Sequence, residues 1–291
     1  MKERIQKVLS GLGLGSRREI EKWIADGRVK IAEETAKLGD RISKYDIVFI
    51  DGRKVDLSKL EENECRVIIY NKAEGEVSAP NDPDGRPSVY DHLPKLKGQR
   101  WISVGRLDVN TTGLLVFTTD GELANALMHP ANVIDREYLC RVHGDINNTK
   151  LNNLLNGVLF EDGKAQFTDI VPGGGEGRNQ WYYVCITEGG NKEVRRLWAS
   201  QEIEVNRLKR VRYGSVFLPS ECKVGTWVEM PNKEINDIRA RLGLKKIAFS
   251  RRTEQQKLDM GRKKRQQQST QRRSGSGHKS KGKKTRSVKR F

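Results

Sequence analysis

A single carboxylate lies in a short polar turn, Gly105-Arg106-Leu107-Asp108, between two apolar runs. Ile102 to Val104 precede this turn, and Leu114 to Phe117 follow it. Both runs are typical of strands, and the small and polar residues between them indicate a connecting loop. Because Arg106 stands two residues before it, Asp108 can stay ionised while partly desolvated. Such a carboxylate can act as a nucleophile or a base, although an aspartate in a loop more often only stabilises the turn.

The elements around this loop are predicted to hold it in place. Thr119-Asp120-Gly121-Glu122 has the pattern of a capping box, so a helix is expected to start there. Leu123, Ala126 and Leu127 then recur at helical spacing, and His129-Pro130 ends the helix. The predicted order is strand, loop, strand, helix, which places Asp108 on a loop between rigid elements.

The eleven residues from Gly105 to Leu115 resemble the signature around the catalytic aspartate of pseudouridine synthases, in the branch that modifies ribosomal RNA. The resemblance implies an α+β catalytic domain on a long, mainly antiparallel sheet with a cleft across its middle. It also implies that Asp108 acts on a uridine flipped out of the RNA, without a cofactor. Whether Asp108 attacks C1′, attacks the base or removes a sugar proton stays open.

Tyr138 lies in a predicted strand. Arg136-Glu137-Tyr138-Leu139-Cys140-Arg141-Val142 alternates, so that Tyr138, Cys140 and Val142 share one face. Taken alone, Tyr138 reads as a core aromatic. In the family that the chain resembles, a tyrosine in a matching strand stacks on the target base, and we assign Tyr138 that role.

A third stretch, Glu188 to Trp198, resembles the family motif in which a basic residue pairs with the catalytic aspartate. Val194, Leu197 and Trp198 point within about 60° of one direction on a helix of 100° per residue. Arg195 borders this buried face, whereas Arg196 points away from it. We therefore predict that Arg195 forms the ion pair with Asp108 and that Arg196 contacts RNA backbone or solvent.

Other basic residues are candidates for contacts with RNA phosphate. Arg86 lies in the turn Asn81 to Pro87, which resembles a loop beside the family's active-site cleft. Arg207 to Arg212 alternates basic with apolar residues and predicts a strand with one basic face, carrying Arg210 and Arg212. Such a face can equally be solvated. Arg106, beside Asp108, completes this group.

The first sixty residues form a separate predicted unit. Ile5, Val8, Leu9 and Leu12 outline one helix face, and a capping box at Ser16 to Glu19 starts a second helix that ends near Gly27. Short strands follow, with a turn at Asp51-Gly52. Arg4 to Gly52 resembles the S4 RNA-binding domain. Arg17 and Arg18 stand at the start of the second helix, where basic side chains oppose the helix dipole, so we assign them to RNA phosphate.

Charge is spread unevenly along the 291 residues. The formal net charge is +17, and residues 251–291 hold 16 Lys and Arg against 2 Asp and Glu, so this segment alone carries +14. It lacks hydrophobic periodicity, and disorder is expected. We predict an S4-like domain at 1–58, a linker at 59–64 that lets it swing, a catalytic domain at 65–235, and a helical start followed by the basic tail at 236–291.

Several function classes are disfavoured. The four cysteines are widely spaced, the four histidines lack ligand spacing, and no nucleotide-binding glycine motif stands in the right context, so neither metal nor cofactor is expected. No run approaches 18 apolar residues, and the expectation is a cytoplasmic monomer without membrane contact.

The sequence therefore predicts a pseudouridine synthase of ribosomal RNA, with large-subunit RNA or an assembly precursor as the favoured partner. A non-catalytic S4-type RNA-binding or ribosome assembly factor is the alternative, and it would have no use for the set Asp108, Tyr138 and Arg195. A metal-dependent nuclease lacks a suitable carboxylate cluster.

Overall fold

Two short helices and six short strands open the chain in the computed structural model, which describes residues 2–58 and 64–249. The helices are α1 (Ile5–Gly11) and α2 (Arg17–Ala25). The strands are β1 (Glu3–Arg4), β2 (Val29–Ile31), β3 (Glu34–Thr35), β4 (Arg41–Ile42), β5 (Val48–Ile50) and β6 (Arg53–Lys54). They form a four-stranded sheet in the order β3-β2-β5-β6 and a separate β1-β4 pair.

Local sequence signals explain this unit. The Ser16 hydroxyl accepts a hydrogen bond from the Glu19 amide at 3.2 Å, and the Glu19 carboxylate accepts one from the Ser16 amide at 2.7 Å, so the predicted capping box is present. Asp51 and Gly52 both have positive φ, as a two-residue hairpin turn requires. Ile5, Leu9 and other apolar residues predicted to face inward are buried in one cluster with β2 and β5.

The N-terminal unit packs closely against the rest of the chain. Gly13 has φ +72°, and a Cβ at this position would lie 2.8 Å from the carbonyl oxygen of Gln99. The chain up to Ile247 forms one compact unit. Of the predicted linker at 59–64, residues 59–63 lie outside the described residues.

One large sheet dominates the remainder. Its strands are β7 (Val67–Lys72), β8 (Ile102–Val104), β9 (Thr112–Thr118), β10 (Arg136–His143), β13 (Asp169–Glu176), β14 (Asn179–Ile186), β15 (Glu204–Tyr213), β16 (Val216–Phe217) and β17 (Trp227–Glu229). The order is β13-β14-β10-β15-β9-β7-β17, with β16 on β15 and β8 on β9. All pairs are antiparallel except β9 with β15. The predicted α+β class with a mainly antiparallel sheet is confirmed.

The parallel strand pair of the large sheet lies directly after the loop of Asp108. Thr112 and Gly113 of β9 pair with Lys209 and Arg210 of β15. Gly113 has φ +98°, and a Cβ here would collide with the carbonyl oxygen of Arg210. Glycine therefore allows the two strands to meet beside the loop.

Four more helices and a hairpin flank this sheet. The helices are α3 (Gly121–Met128), α4 (Asn148–Asn156), α5 (Glu193–Ala199) and α6 (Asn232–Arg241), and the hairpin is β11 (Val158–Phe160) with β12 (Gly163–Ala165). The capping box predicted at Thr119 is wrong by one residue. Asp120 caps α3 and accepts hydrogen bonds from the amides of Glu122 and Leu123, while Thr119 binds the backbone of the neighbouring β7 segment.

Helix α6 crosses the domain boundary that the sequence placed at 235/236. Arg239 of this helix is 3% exposed and forms ion pairs with Asp120 and Glu122 of the α3 start. Its Nε also donates to the carbonyl oxygen of Lys245 at 2.7 Å. The described chain after residue 235 is thereby attached to the catalytic part. The predicted tail from residue 251 lies outside the described residues.

Among the described residues, no helix is long and apolar enough to cross a membrane.

Candidate active site

Asp108 lies in the loop between β8 and β9 and is half-buried. Gly105 starts the loop with φ +78°, which glycine adopts without strain. The amide of Thr111 donates to the carbonyl oxygen of Asp108 at 3.0 Å and closes a tight turn. The predicted strand, loop, strand, helix order is therefore present, with Asp108 in the turn.

The segment after β7 holds this loop from one side. Ser78 Oγ donates to the carbonyl oxygen of Leu107 at 2.9 Å and accepts from the Leu107 amide at 3.1 Å. The amide of Gly75 donates to the carbonyl oxygen of Val109 at 2.9 Å. Both neighbours of Asp108 in the sequence are thus hydrogen-bonded to residues 75–78, which restricts where its carboxylate can lie.

The side chain of Lys72 binds the backbone of the Asp108 loop. The sequence analysis did not predict this role for Lys72. Its side chain is fully buried, and its Nζ donates to the carbonyl oxygens of Ala73, Val109 and Thr111 at 2.9, 3.2 and 3.0 Å. Burial lowers the pKa of Lys72 to about 8. The negative charges of Glu76, Asp108 and Glu74 act in the other direction and raise this pKa, but burial has the larger effect. A buried ammonium group is therefore hydrogen-bonded to the loop of Asp108 and interacts electrostatically with its carboxylate.

Glu76 completes this buried arrangement. Its carboxylate is 6% exposed in the folded chain and accepts from the Tyr70 hydroxyl at 2.8 and 3.0 Å and from the Ala73 amide at 3.0 Å. His92 Nε2 lies 3.2 Å from it. Burial is the main cause that raises the pKa of Tyr70, and the hydrogen bond to Glu76 adds to it. Tyr70 therefore stays protonated and donates.

Arg195 contacts the loop of Asp108 in a different way from the predicted ion pair. Its Nη2 donates to the carbonyl oxygen of Asn110 at 3.0 Å, and its Nη1 donates to that of Val205 at 2.6 Å. Within the described residues no ion pair joins Arg195 to Asp108. The helical-face argument did place Arg195 beside the loop, but its guanidinium group binds backbone carbonyls of the loop and of β15 instead of the carboxylate.

Arg196 is partly exposed, and its side chain is engaged within the protein. It forms a two-pronged ion pair with Asp162 at 2.7 and 2.5 Å, and its guanidinium group lies 4.3 Å from the ring centre of Phe160. Both partners belong to the β11–β12 hairpin. Arg196 therefore attaches this hairpin to α5 and remains partly open to solvent, so its contact with RNA stays a prediction.

Tyr138 lies on the same face of β10 as Cys140 and Val142, as predicted, and is 7% exposed. The charge of Arg195 acts on the Cys140 thiol, whose pKa is raised to about 12, chiefly by burial. The face of β10 that carries Tyr138 is therefore turned towards the core, and Arg195 exerts its charge on Cys140 of that face.

Three predicted RNA contacts are engaged within the protein. Arg210 is 2% exposed, and its Nε donates to the carbonyl oxygen of Leu114 at 2.8 Å, so the prediction that it contacts RNA is wrong for this structure. Arg212 is largely buried and pairs with Glu137 at 2.7 Å. Arg86 is exposed but pairs with Asp82 at 2.7 Å and Asp84 at 2.8 Å.

The face prediction for Arg210 and Arg212 failed because β15 is irregular. The pairing of β10 with β15 shifts between Glu137 and Tyr138, so Arg212 pairs with Glu137 and Arg210 with Tyr138. This irregularity places the two arginines on opposite faces, where strict alternation would keep them together.

The remaining basic candidates face solvent. Arg17 and Arg18 at the start of α2 are exposed, and so is Arg106 beside Asp108. No hydrogen bond or ion pair to another described residue engages their side chains. They can therefore reach an external phosphate without breaking a contact.

No group of three metal-ligating side chains stands together in the described part of the chain.

Two family profiles match the sequence: that of the RNA pseudouridylate synthases at residues 66–200, and that of the S4 domain at residues 3–48. The ribosomal large subunit pseudouridine synthase B of Pseudomonas aeruginosa is 53% identical over 248 residues, which cover 85% of this chain and 64% of that protein. The protein of the same name from Vibrio vulnificus is 54% identical over 240 residues, 82% of this chain and 75% of that protein.

The chain belongs to the RNA pseudouridylate synthase family. Its S4 domain lies at the predicted N-terminal position. Thus the enzyme class expected from the Asp108 motif, an RNA pseudouridine synthase, is confirmed at the level of the family. The chain spans a little under two thirds of the Pseudomonas relative and three quarters of the Vibrio relative.

A solved structure supports the fold of this RNA pseudouridylate synthase. A crystal structure of a pseudouridylate synthase superposes with a TM-score of 0.57 and covers 81% of this chain and 99% of that one, at 23% identity. At this identity the likeness establishes the shared fold and leaves residue roles to the geometry above.

Proposed function

We propose that this chain converts uridine to pseudouridine at a defined site of ribosomal RNA, with large-subunit RNA as the target. The names of relatives above 50% identity support large-subunit RNA as the target, and the S4 domain supports an RNA substrate. A cytoplasmic monomer without a cofactor remains the expected form of the enzyme.

Asp108 is proposed as the nucleophile. The observation that carries this assignment is the number of independent contacts on its loop: Ser78 holds Leu107, Gly75 and Lys72 hold Val109, and Arg195 holds Asn110. Such support orients a carboxylate before substrate arrives, which lowers the cost of reaching the reactive geometry. A surface that only docked RNA would not need this precision.

The reaction is an isomerisation. The bond between N1 and C1′ of uridine breaks, the base rotates, and a new bond forms between C5 and C1′. C5 loses a proton and N1 gains one, so atoms and electrons balance without a redox or energy carrier. As a nucleophile, Asp108 would attack C1′ or the base and form a transient covalent bond that keeps the fragments together. Removal of a sugar proton, with Asp108 as a base and without such a bond, is the alternative route.

Lys72 would serve this chemistry by its charge. The buried ammonium group attracts the Asp108 carboxylate electrostatically and holds its loop through the carbonyl oxygens of Val109 and Thr111. Arg195 would contribute by holding the loop through Asn110.

The target uridine must leave the RNA stack before Asp108 can reach it. Flipping costs a few kcal/mol, which stacking on an aromatic ring offsets in part. Tyr138 is proposed to supply that ring. Arg106, Arg17 and Arg18 are proposed to hold phosphates on either side of the flipped nucleotide, since all three are exposed.

The direct test is to map pseudouridine across ribosomal RNA from cells with and without this protein. The proposal requires a position in large-subunit RNA that loses the modification and regains it when the purified enzyme is added. A change confined to small-subunit RNA would refute large-subunit RNA as the target but would still support pseudouridine formation as the reaction. Unchanged modification together with a defect in ribosome assembly would instead favour the non-catalytic binding factor.

A further inference from the structure

Three neighbouring strands of the large sheet present a solvent-facing surface on the side opposite Tyr138. Along β10, β14 and β15 the residues that alternate with the buried ones point away from the core. We call them the outer sheet face: Leu139 and Arg141 on β10, Trp181 and Tyr183 on β14, and Arg207 and Lys209 on β15.

Strand register arranges these side chains in two rows across the sheet. Tyr183 pairs with Leu139, which pairs with Lys209. Trp181 pairs with Arg141, which pairs with Arg207. Neighbouring strands lie about 4.8 Å apart, so the backbone of Tyr183 stands roughly 10 Å from that of Lys209, and the backbone of Trp181 stands about 5 Å from that of Arg141 and roughly 10 Å from that of Arg207.

The aromatic side chains remain accessible because their outer neighbour is rich in glycine. Tyr183 is 39% exposed and Trp181 is partly exposed. Gly173 on the edge strand β13 would place a Cβ 3.3 Å from Tyr183 Cε2 and 3.4 Å from Trp181 Cβ. Trp181 pairs with Gly174, so no β13 side chain lies directly beside it, whereas Tyr183 pairs with Val171, which is itself 47% exposed.

The cations of this surface have no acidic partner. Within the described residues no hydrogen bond or ion pair engages the side chains of Arg141, Arg207 or Lys209, whereas Arg212, farther along β15, pairs with Glu137. Arg141 and Arg207 stand directly opposite each other across the strands. Like charges in this arrangement repel, and a bound polyanion would relieve the repulsion.

We propose that the outer sheet face binds single-stranded RNA, separately from the cleft that takes the target uridine. Bases would stack on Tyr183 and Trp181 while Arg141, Arg207 and Lys209 bind phosphates. Aromatic side chains beside a basic groove are the combination with which proteins bind single strands without reading sequence. A duplex would not fit, because its bases are stacked on each other and unavailable to the rings. The inference depends on RNA as the substrate class and on no particular target uridine.

A binding experiment with the full chain tests the stacking. The probe is a fluorescent 12-nucleotide oligoadenylate, which contains no uridine to isomerise. Tyr183→Ala is expected to weaken binding roughly tenfold, and Tyr183→Phe, which keeps the ring, is expected to bind within twofold of the parent chain. Equal losses in the two variants, or no loss in either, would overturn the proposal.

The charges are tested by salt dependence. The double variant Arg141→Gln/Arg207→Gln is expected to lower the slope of log affinity against log salt by about 1.4, since each phosphate contact with a single strand contributes about 0.7. Lys233→Gln replaces an exposed cation on α6 and serves as the control. It should change the salt slope by less than half of the value of about 0.7 that is expected for one phosphate contact. An equal effect of the control would show that only net charge matters and would contradict the proposal.

A crosslink locates the RNA directly. Oligoadenylate carrying one photoreactive 8-azidoadenosine is irradiated with the protein, and the labelled peptides are identified. The proposal requires label on the peptide that contains Trp181 and Tyr183, with less label in a matched 12-base-pair duplex. Label confined to the S4 domain or to the loop of Asp108 would overturn it. Pseudouridine formation by the same variants at saturating substrate is expected to be unchanged. Loss of the proposed RNA binding at the outer sheet face can therefore be distinguished from failure of the proposed enzymatic function.

Discussion

Arg195 donates a hydrogen bond from Nη2 to the carbonyl oxygen of Asn110, two residues after Asp108. The same guanidinium group binds the carbonyl oxygen of Val205 on β15. The loop of Asp108 is therefore attached through one side chain to α5 and to β15, the strand that pairs with the strand of Tyr138.

The two adjacent arginines are expected to differ in their effect on turnover. Arg195→Ala leaves the part-buried carbonyl of Val205 without its donor, at about 1–3 kcal/mol, and removes the exposed contact with Asn110 that holds the loop of Asp108. We expect single-turnover rates to fall about 30-fold or more. Arg196→Ala removes an exposed ion pair of about 0–1 kcal/mol and should cost less than fivefold. Equal losses would contradict the role given to Arg195.

Lys72 gives the enzyme a pH dependence. Its ammonium form is required beside Asp108, and its pKa of about 8 lies below the usual value for lysine. The side chain thus loses its proton as pH rises through about 8, and we expect the rate at saturating RNA to decline above that pH. The measurement is the single-turnover rate between pH 6.5 and 9.5.

Two variants identify Lys72 as the group responsible. Lys72→Met should lower the rate about 100-fold with little change in RNA affinity, because the loop loses three hydrogen bonds and a nearby positive charge. Lys72→Arg keeps a positive charge at high pH. In this variant the fall of the single-turnover rate at alkaline pH should therefore shift to a higher pH. Lys97→Met, at an exposed position, is the control. An alkaline decline that stays in place in Lys72→Arg would exclude Lys72 as its source.

Gly113 is expected to be intolerant of a side chain. Gly113→Ala combines a backbone φ of +98° with a collision against the carbonyl oxygen of Arg210. Gly39 has a similar φ of +101° but open space around it, so Gly39→Ala measures the backbone cost alone. We expect Gly113→Ala to lower the free energy of unfolding by about 1–3 kcal/mol more than Gly39→Ala does. Chemical denaturation measures the difference, and equal losses would show that the β9–β15 junction can relax.

Local signals in the sequence predicted local structure well. The Ser16 capping box, the Asp51-Gly52 turn and the strands around Asp108 each depend on residues within a few positions, and all are present. Tyr138 and Arg195 were placed by alternation and helical spacing, and both face the expected side. These are cases in which periodicity alone decides the direction of a side chain.

Contacts between distant residues were beyond such reasoning. Lys72 reaches Val109 and Thr111 across 37 and 39 positions, and Ser78 reaches Leu107 across 29. Nothing in the sequence beside Lys72 distinguishes it from a surface lysine, except its position at the end of an apolar run. The β15 irregularity that buries Arg210 was equally hidden, because a shift in strand pairing depends on the partner strand.

The basic tail is predicted to contribute affinity without chemistry. Deletion of residues 251–291 removes a charge of +14, and each lost phosphate contact lowers the log–log salt slope by about 0.7 to 0.9. RNA binding should weaken, while the single-turnover rate at saturating RNA should stay within twofold. A chain of full length with the tail's Lys and Arg replaced by Gln should behave like the deletion. A saturated rate reduced more than tenfold would show that the tail carries a catalytic element.

Asp108→Asn tests the proposed role of Asp108 in the chemistry, because this change removes the charge of the side chain and keeps its size. RNA containing the target uridine is incubated with the variant, with the parent chain and with the exposed control Asp145→Asn, and pseudouridine is quantified at that position together with RNA affinity. The proposed mechanism predicts no pseudouridine with Asp108→Asn, an affinity within about tenfold of the parent chain since phosphate contacts dominate binding, and normal activity for Asp145→Asn. Pseudouridine formed by Asp108→Asn at the parent rate would contradict the assignment of Asp108 as nucleophile.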